Sequence, residues 1–296
     1  MNFNRIWKLL KQAVKEWQQD KVPILAAALA YYMLFSIAPM LIIVIAVVGF
    51  IVGESVARQE VIEQMEGLIG ADAAESVRMV IQNQFKPASN IIATVVAILT
   101  VIFGATTVVV QLKQALNMIW DVAAKPGQGV KGFIVTRIKS ILMIMGIGLI
   151  LLLSLILSAV LTGVGGILEQ NLPVPSIVWS LADNLISVLL MTLLFGQIYR
   201  VLPDVEIAWK DVLVGSVITA ILFTLGKAGI SLYLGTSSVG SAYGAAGSLV
   251  IFLMWMFYSA QIFLFGAELT KVWARTYGSK IRPDENAVPE SQINQL

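Results

Sequence analysis

Lys227 is the single charged residue between Gly215 and Gly235, in the run GSVITAILFTLGKAGISLYLG. An ammonium in so apolar a setting can pair with a carboxylate, bind an anion, or reach along its own stem to a polar boundary. Asp183, in the apolar run 176–202, is the first candidate partner. Counted along a helix, both residues lie roughly 12 Å from the same end of their stretches. That depth permits a Lys227–Asp183 pair. A cation so placed in a bilayer costs about 2.5–3.5 kcal/mol on insertion scales, so a partner or a wet cavity is expected around it. A structural ion pair, or snorkelling of Lys227 toward headgroups, stands as the plain alternative to contact with a substrate.

Arg200 and Glu268 form a second candidate pair, each roughly 35 Å along its stretch from that same end. They could make a salt bridge at the opposite boundary, where charged helix ends are ordinary. Gln197 and Gln261 lie one or two turns deeper. They could line a path or hydrogen-bond between helices. Lys227, Asp183, Gln197, Gln261, Arg200 and Glu268 are the candidate substrate-path residues. Pro39 adds a helix kink: it cannot donate to the carbonyl of Phe35, and Tyr31, Tyr32 and Ser36 lie just before it.

Other chemistry is excluded by residue type. The chain of 296 residues has no histidine and no cysteine. It therefore lacks the usual neutral-pH base, thiolate metal sites and disulfides. No phosphate-binding G-x-x-x-x-G-K-[ST] loop occurs. KPGQGVKG at 125–132 resembles a phosphate cradle only superficially and reads as a flexible basic loop. No catalytic residue, metal or cofactor is expected, and the protein reads as something other than an enzyme. A net charge of +2 gives no footprint for nucleic acid.

The elements that must carry these residues follow from composition. The chain is 58% hydrophobic and 13% charged, against about 25% charged in a soluble domain. Six apolar stretches, roughly 23–52, 91–119, 138–168, 176–202, 211–235 and 244–272, each reach the length of a membrane-crossing helix. The expected fold is all-α: a polytopic membrane protein of six transmembrane helices. The first stretch is expected to be retained, being too long for a signal-peptide core. Lys and Arg set the orientation. Only Arg58, Arg78 and Lys86 fall on one side, in the first loop, whereas all the others except Lys227 fall on the opposite side. Both termini are therefore expected in the cytoplasm of a bacterium, with the protein multi-pass in the inner (plasma) membrane.

A single membrane domain, 1–278, is expected. Within it, 1–22 reads as a basic amphipathic helix, with Phe3, Ile6, Trp7, Leu10, Val14 and Trp17 opposite Lys8, Lys11 and Lys15. It lies on the inner leaflet or packs on the bundle. The outer loop 53–90 reads as two short amphipathic helices. The polar tail 279–296 reads as disordered. Ser154, Ser158, Thr162 and Gly166 form a small-residue stripe, as do Gly240, Gly244 and Ser248. Such stripes pack helices within a chain or between copies, so a homo-oligomer stays open. Trp255 is expected inside the bundle, and Trp120, Trp179, Trp209 and Trp273 in the interfacial belt.

Four stretches resemble the YihY/BrkB family of bacterial inner-membrane proteins. They are AAALAYYMLFSIAPMLI, FGATTVVVQLKQALNMIWDV, YRVLPDVEIAWKDVLVGSV and YGAAGSLVIFLMWMFYSAQIFLFGAEL. The resemblance spreads over roughly 5–278 and implies six helices with both termini inside. Members were once labelled ribonuclease BN, a label this chain's residues do not support. Relatives are associated with virulence, serum resistance and envelope lipid export. The resemblance carries over Pro39, Asn117, Trp120, Pro203, Lys227, Tyr243, Gly244 and Glu268, with roles unassigned. It implies transport of a lipid or other amphiphile. Together with the buried polarity of Lys227, Asp183, Gln197 and Gln261 and the kinked first helix, the expectation is a transporter or flippase-like protein for a lipid or other anionic amphiphile, with membrane lipids as partners. The alternative is a non-transporting envelope scaffold or regulatory protein.

Overall fold

The computed structural model describes residues 3–69, 74, 78, 91–125, 129–171, 176–236, 247–279, 281–285 and 287–293. Among them run α1 (Phe3–Gln19), α2 (Val22–Val52), α3 (Glu54–Ile69), α4 (Ile91–Ile119), α5 (Gly129–Asn171), α6 (Ser176–Val201), α7 (Trp209–Thr236), α8 (Gly247–Thr276) and the short α9 (Glu290–Ile293). Four short strands are also present: β1 (Val122–Ala124), β2 (Val205–Glu206), β3 (Arg282–Pro283) and β4 (Ala287–Pro289).

Among the described residues, five segments are long and apolar enough to cross a membrane: Val22–Val52, Ile98–Ile119, Ile134–Ser154, Trp209–Ile230 and Leu249–Thr276. The remaining expected span is helix α6, whose described apolar part, Leu185–Val201, is shorter. Between 22% and 39% of each apolar window is buried, so most of that apolar surface faces outward. Leu142, Leu185 and Leu225 all point away from the protein. Water would reject such a surface, and a lipid solvent accepts it.

Local chemistry sets the breaks. Lys21 takes a left-handed φ of 51° and separates α1 from α2, and Pro23 follows within the first turn of α2, where its missing N–H loses nothing. Gly53, at φ 93°, separates α2 from α3 in a region that a side chain rarely tolerates.

α2 is apolar on every face because one side packs against α3, α4, α5 and α8 while Phe35, Phe50 and Ile51 point outward. It stays one helix through Pro39, with α4 packed on the proline: a Cβ at Gly104 would lie 2.9 Å from Pro39 Cγ. The neighbouring helix uses a glycine to approach that ring. α6, α7 and α8 pack in sequence, α6 on α7 and α7 on α8. Tyr199 donates to the carbonyl of Phe263 at 2.6 Å and lies 3.1 Å from the Thr219 hydroxyl, joining all three helices. Gly266 leaves room for both groups, since a Cβ there would collide with Thr219 and Tyr199. Trp255 is buried, as expected, edge-on to Phe223.

The two chain ends meet at one end of the bundle, here the near end. α1 packs on α8 there, with Leu9 and Ala13 buried against Leu269 and Val272. Trp7 stays 63% exposed. The tail departs from its expected disorder. β4 pairs antiparallel with β1, and β3 with β2. Asp284 N–H also donates to the Asp204 carbonyl, and Glu290 N–H to that of Asp121. A polar, proline-containing segment finds backbone partners in two loops far away in sequence.

Two further expectations change. Trp120, at the end of α4, is buried within the protein rather than exposed on its surface, its indole N–H 3.5 Å from the Ala267 carbonyl. Arg137, one residue before the apolar stretch expected from 138, lies inside α5, because that helix starts at Gly129. Its guanidinium sits 5.0 Å over the Phe103 ring and donates to Thr106 Oγ1. The first helix of the expected pair in 53–90 is α3. The second falls outside the described residues, as do Tyr243, Gly244 and the side chains of Ser158, Thr162 and Gly166.

Candidate functional site

Two polar regions stand apart. The first is around Lys227. Its half-buried side chain lies between α7 and α8, among Phe223, Ile230, Trp255, Tyr258, Ser259 and Ile262. Gly226 makes this approach close, since a Cβ there would lie 2.6 Å from the Tyr258 hydroxyl. The ammonium makes no ion pair with a described residue. Next to it, Gly229, Ile230, Met254, Phe257 and Tyr258 line an apolar cleft of about 320 Å³. Gly229, Phe257 and Tyr258 are exposed. Ile230 and Tyr258 belong both to this cleft and to the surroundings of Lys227, so the cleft adjoins the lysine through them. The side chain of Asp183 lies outside the described residues, and with it the pair expected with Lys227.

Neither Gln197 nor Gln261 is among the described residues that surround Lys227. Gln197 fills the space over Gly146 of α5, where a Cβ would collide with its side-chain amide. Gln261 keeps a buried Oε1 without a hydrogen-bond donor among the described residues.

The second region is the near end, and it separates Arg200 from Glu268. Arg200 lies 4.6 Å over the Trp209 ring. Glu268 turns instead to Lys271, one helical turn on, because both side chains face α1. Lys271 is 1% exposed and its Nζ lies 3.0 Å from Asp20, 3.2 Å from Glu16, 3.3 Å from Asp121 and 3.9 Å from Glu268. Arg275 also pairs with Asp121. Glu16, Asp20 and Glu268 bring one oxygen each to within 4.8 Å of one another. That grouping has the donor set of a hard-cation site, but the Lys271 ammonium already stands among them.

A neighbouring cluster centres on buried Asp204. Lys113 lies 2.8 Å and Lys139 3.9 Å from Oδ1. Asn117 closes a two-bond ring: its amide donates to Oδ2 at 3.0 Å, and its oxygen accepts from the Asp204 N–H at 2.9 Å. Asp211, also buried, accepts from the N–H and hydroxyl of Ser279 and ties α7 to the start of the tail. Sequence reasoning missed Asp204, Asp211, Lys271, Glu16, Asp20 and Asp121 as a system. The i, i+3 spacing of Glu268 and Lys271 was the one local signal.

Fold and polar arrangement together define a helical, polytopic membrane protein whose charges are gathered mainly at one end. The family model for virulence factor BrkB matches residues 13–291, and the chain belongs to that family. A UPF0761 membrane protein of Tolumonas auensis is 27% identical over 266 residues, covering 85% of this chain and 80% of that protein. Another, of Actinobacillus pleuropneumoniae, is 25% identical over 268 residues, covering 88% and 91%. A protein of Bacillus subtilis named ribonuclease-like, YfkH, is 21% identical over 265 residues, covering 88% and 92%. The first two names state a membrane location and no reaction. No solved structure matches.

Proposed function

We propose that this protein moves an anionic amphiphile across the bacterial inner membrane, with six spans and both termini in the cytoplasm. The observation that supports this most is Lys227: a half-buried side chain without a carboxylate partner among the described residues, joined through Ile230 and Tyr258 to an exposed apolar cleft. A charge so placed is unfavourable unless something offsets it, and inward-facing intramembrane charges commonly mark substrate paths. An anionic headgroup would pair with Lys227 and accept from Tyr258 or Ser259. Its acyl chains would stay against Gly229, Met254 and Phe257. The chain carries no nucleotide-binding loop, so movement would run downhill, on an ion gradient, or with a partner ATPase.

Vesicles reconstituted with the protein and a headgroup-labelled anionic phospholipid test this reading. The labelled lipid is expected to equilibrate between leaflets at least tenfold faster than in empty vesicles, and Lys227→Met is expected to return the rate to that of empty vesicles. No acceleration with any of several anionic headgroups overturns the reading. Full activity in a folded Lys227→Met protein removes Lys227 from the lipid path, whereas a folded wild-type protein that moves no lipid favours a scaffold held by its near end.

A further inference from the structure

The near-end cluster holds more carboxylates than cations. Lys271 carries three N–H donors, and three carboxylates lie nearer to it than Glu268 does: Asp20, Glu16 and Asp121. Glu268 is left at 0% exposure, and neither of its oxygens meets a hydrogen-bond donor among the described residues. The charged groups gathered around it and Lys271 come from three parts of the chain. α1 gives Glu16 and Asp20, the link after α4 gives Asp121, and α8 gives Lys271 and Arg275. Fully ionised, four carboxylates would oppose two cations. The residue with no water and no donor would then carry one of the surplus charges, which is strongly unfavourable.

We infer that Glu268 is a proton-binding site: it holds a proton at neutral pH and shares it with the α1 carboxylates, so that docking of α1 on α8 is linked to protonation. The proton is taken up from water at the near end, where Glu16 and Asp20 are each about a fifth exposed. A carboxyl O–H supplies the donor that the cluster lacks, directed at a carboxylate oxygen of α1. Loss of the proton to water leaves a second carboxylate facing α1 with Lys271 already engaged. Repulsion then acts between α8 and the very residues that hold α1 in place. Leu9 and Ala13 would leave Leu269 and Val272 as the helix lifts. This inference is independent of what the cleft at Lys227 binds.

Infrared difference spectroscopy of the full chain in lipid, with glutamate carboxyls labelled by ¹³C, reads the proton directly. At neutral pH the wild type is expected to show a protonated-carboxyl band that shifts with the label, and Glu268→Gln is expected to lose it. A wild-type spectrum without a labelled protonated carboxyl overturns the inference and needs no variant. Retention of the band in Glu268→Gln overturns it as well. A distance probe between α1 and α8 tests the linkage. Raising the pH should separate the labels in the wild type and leave them together in Glu268→Gln. A separation that ignores pH, or that follows it equally in both proteins, rejects the coupling. Binding of one Mg²⁺ per chain at neutral pH with no such band would assign the missing charge to a metal and overturn the proton.

Discussion

The near end and the cleft at Lys227 treat the same ammonium group in opposite ways. Lys271 is buried and surrounded by Glu16, Asp20, Asp121 and Glu268 from three parts of the chain. Lys227 is half-buried among Phe223, Trp255 and Ile262, with no described carboxylate beside it. The first arrangement compensates a charge with the chain's own groups and so fixes geometry. The second leaves the compensation to something else. A buried pair is strongly destabilised by removing one partner, because the other charge stays behind. An unpaired charge leaves no such residue when it is removed.

The largest predicted effect follows directly. Lys271→Met should destabilise the protein by about 3–5 kcal/mol, since it strands several buried or half-buried carboxylates. Lys227→Met should leave stability unchanged or slightly higher, while abolishing lipid movement. Thermal unfolding of both variants in the same detergent checks the contrast. Equal losses would mean that Lys227 has a structural partner in the part of the chain outside the described residues, and would move it into the class of Lys271.

The two regions also differ in how far the sequence reveals them. Lys227 is visible at once, because one charge in an apolar run of helical length is a local signal. Helix positions are visible for the same reason. The near end is hidden. Its ion pairs join Asp20 to Lys271, and Lys113 to Asp204, and no periodicity links residues so far apart. Charges counted only by side of the membrane gave an orientation and no partners. The tail misled because proline and polar residues argue against a core, whereas pairing with β1 and β2 needs only backbone groups. Arg137 is hidden for another reason: helix α5 begins nine residues before the apolar run at 138, and no apolar residue count shows that extension.

A middle-sized effect is expected where α6, α7 and α8 meet. This seam is neither ionic nor open: Gly266 faces Thr219 and Tyr199, and Gly215 faces Thr270. Gly266→Val should cost about 1–3 kcal/mol by overpacking, and should break the Tyr199 bond to Phe263. Tyrosine fluorescence and unfolding measurements can follow both. Because the seam lies between the two polar regions, this variant also asks whether they are mechanically connected. If lipid movement survives the loss of stability, the cleft works without a rigid α6–α7–α8 seam.

The smallest effect concerns the tail, and it sharpens the comparison most. Asp284 and Glu290 donate backbone hydrogen bonds to Asp204 and Asp121, one at each near-end cluster. Each bond contributes about 0.5–1.5 kcal/mol net, less the entropy of ordering the tail. Deleting residues 281–296 should therefore lower global stability by roughly 1 kcal/mol or less. Locally the effect should be larger. The amides of 122–124 and 205–206 lose their strand partners, so their hydrogen exchange should accelerate about tenfold or more, while the amides around Lys227 keep their wild-type rates. Exchange that accelerates at both places would show that the tail acts on the whole bundle. Exchange that accelerates at neither would mean that the Lys271 and Asp204 clusters hold their loops unaided, and that β3 and β4 rest on a near end already fixed by its charges.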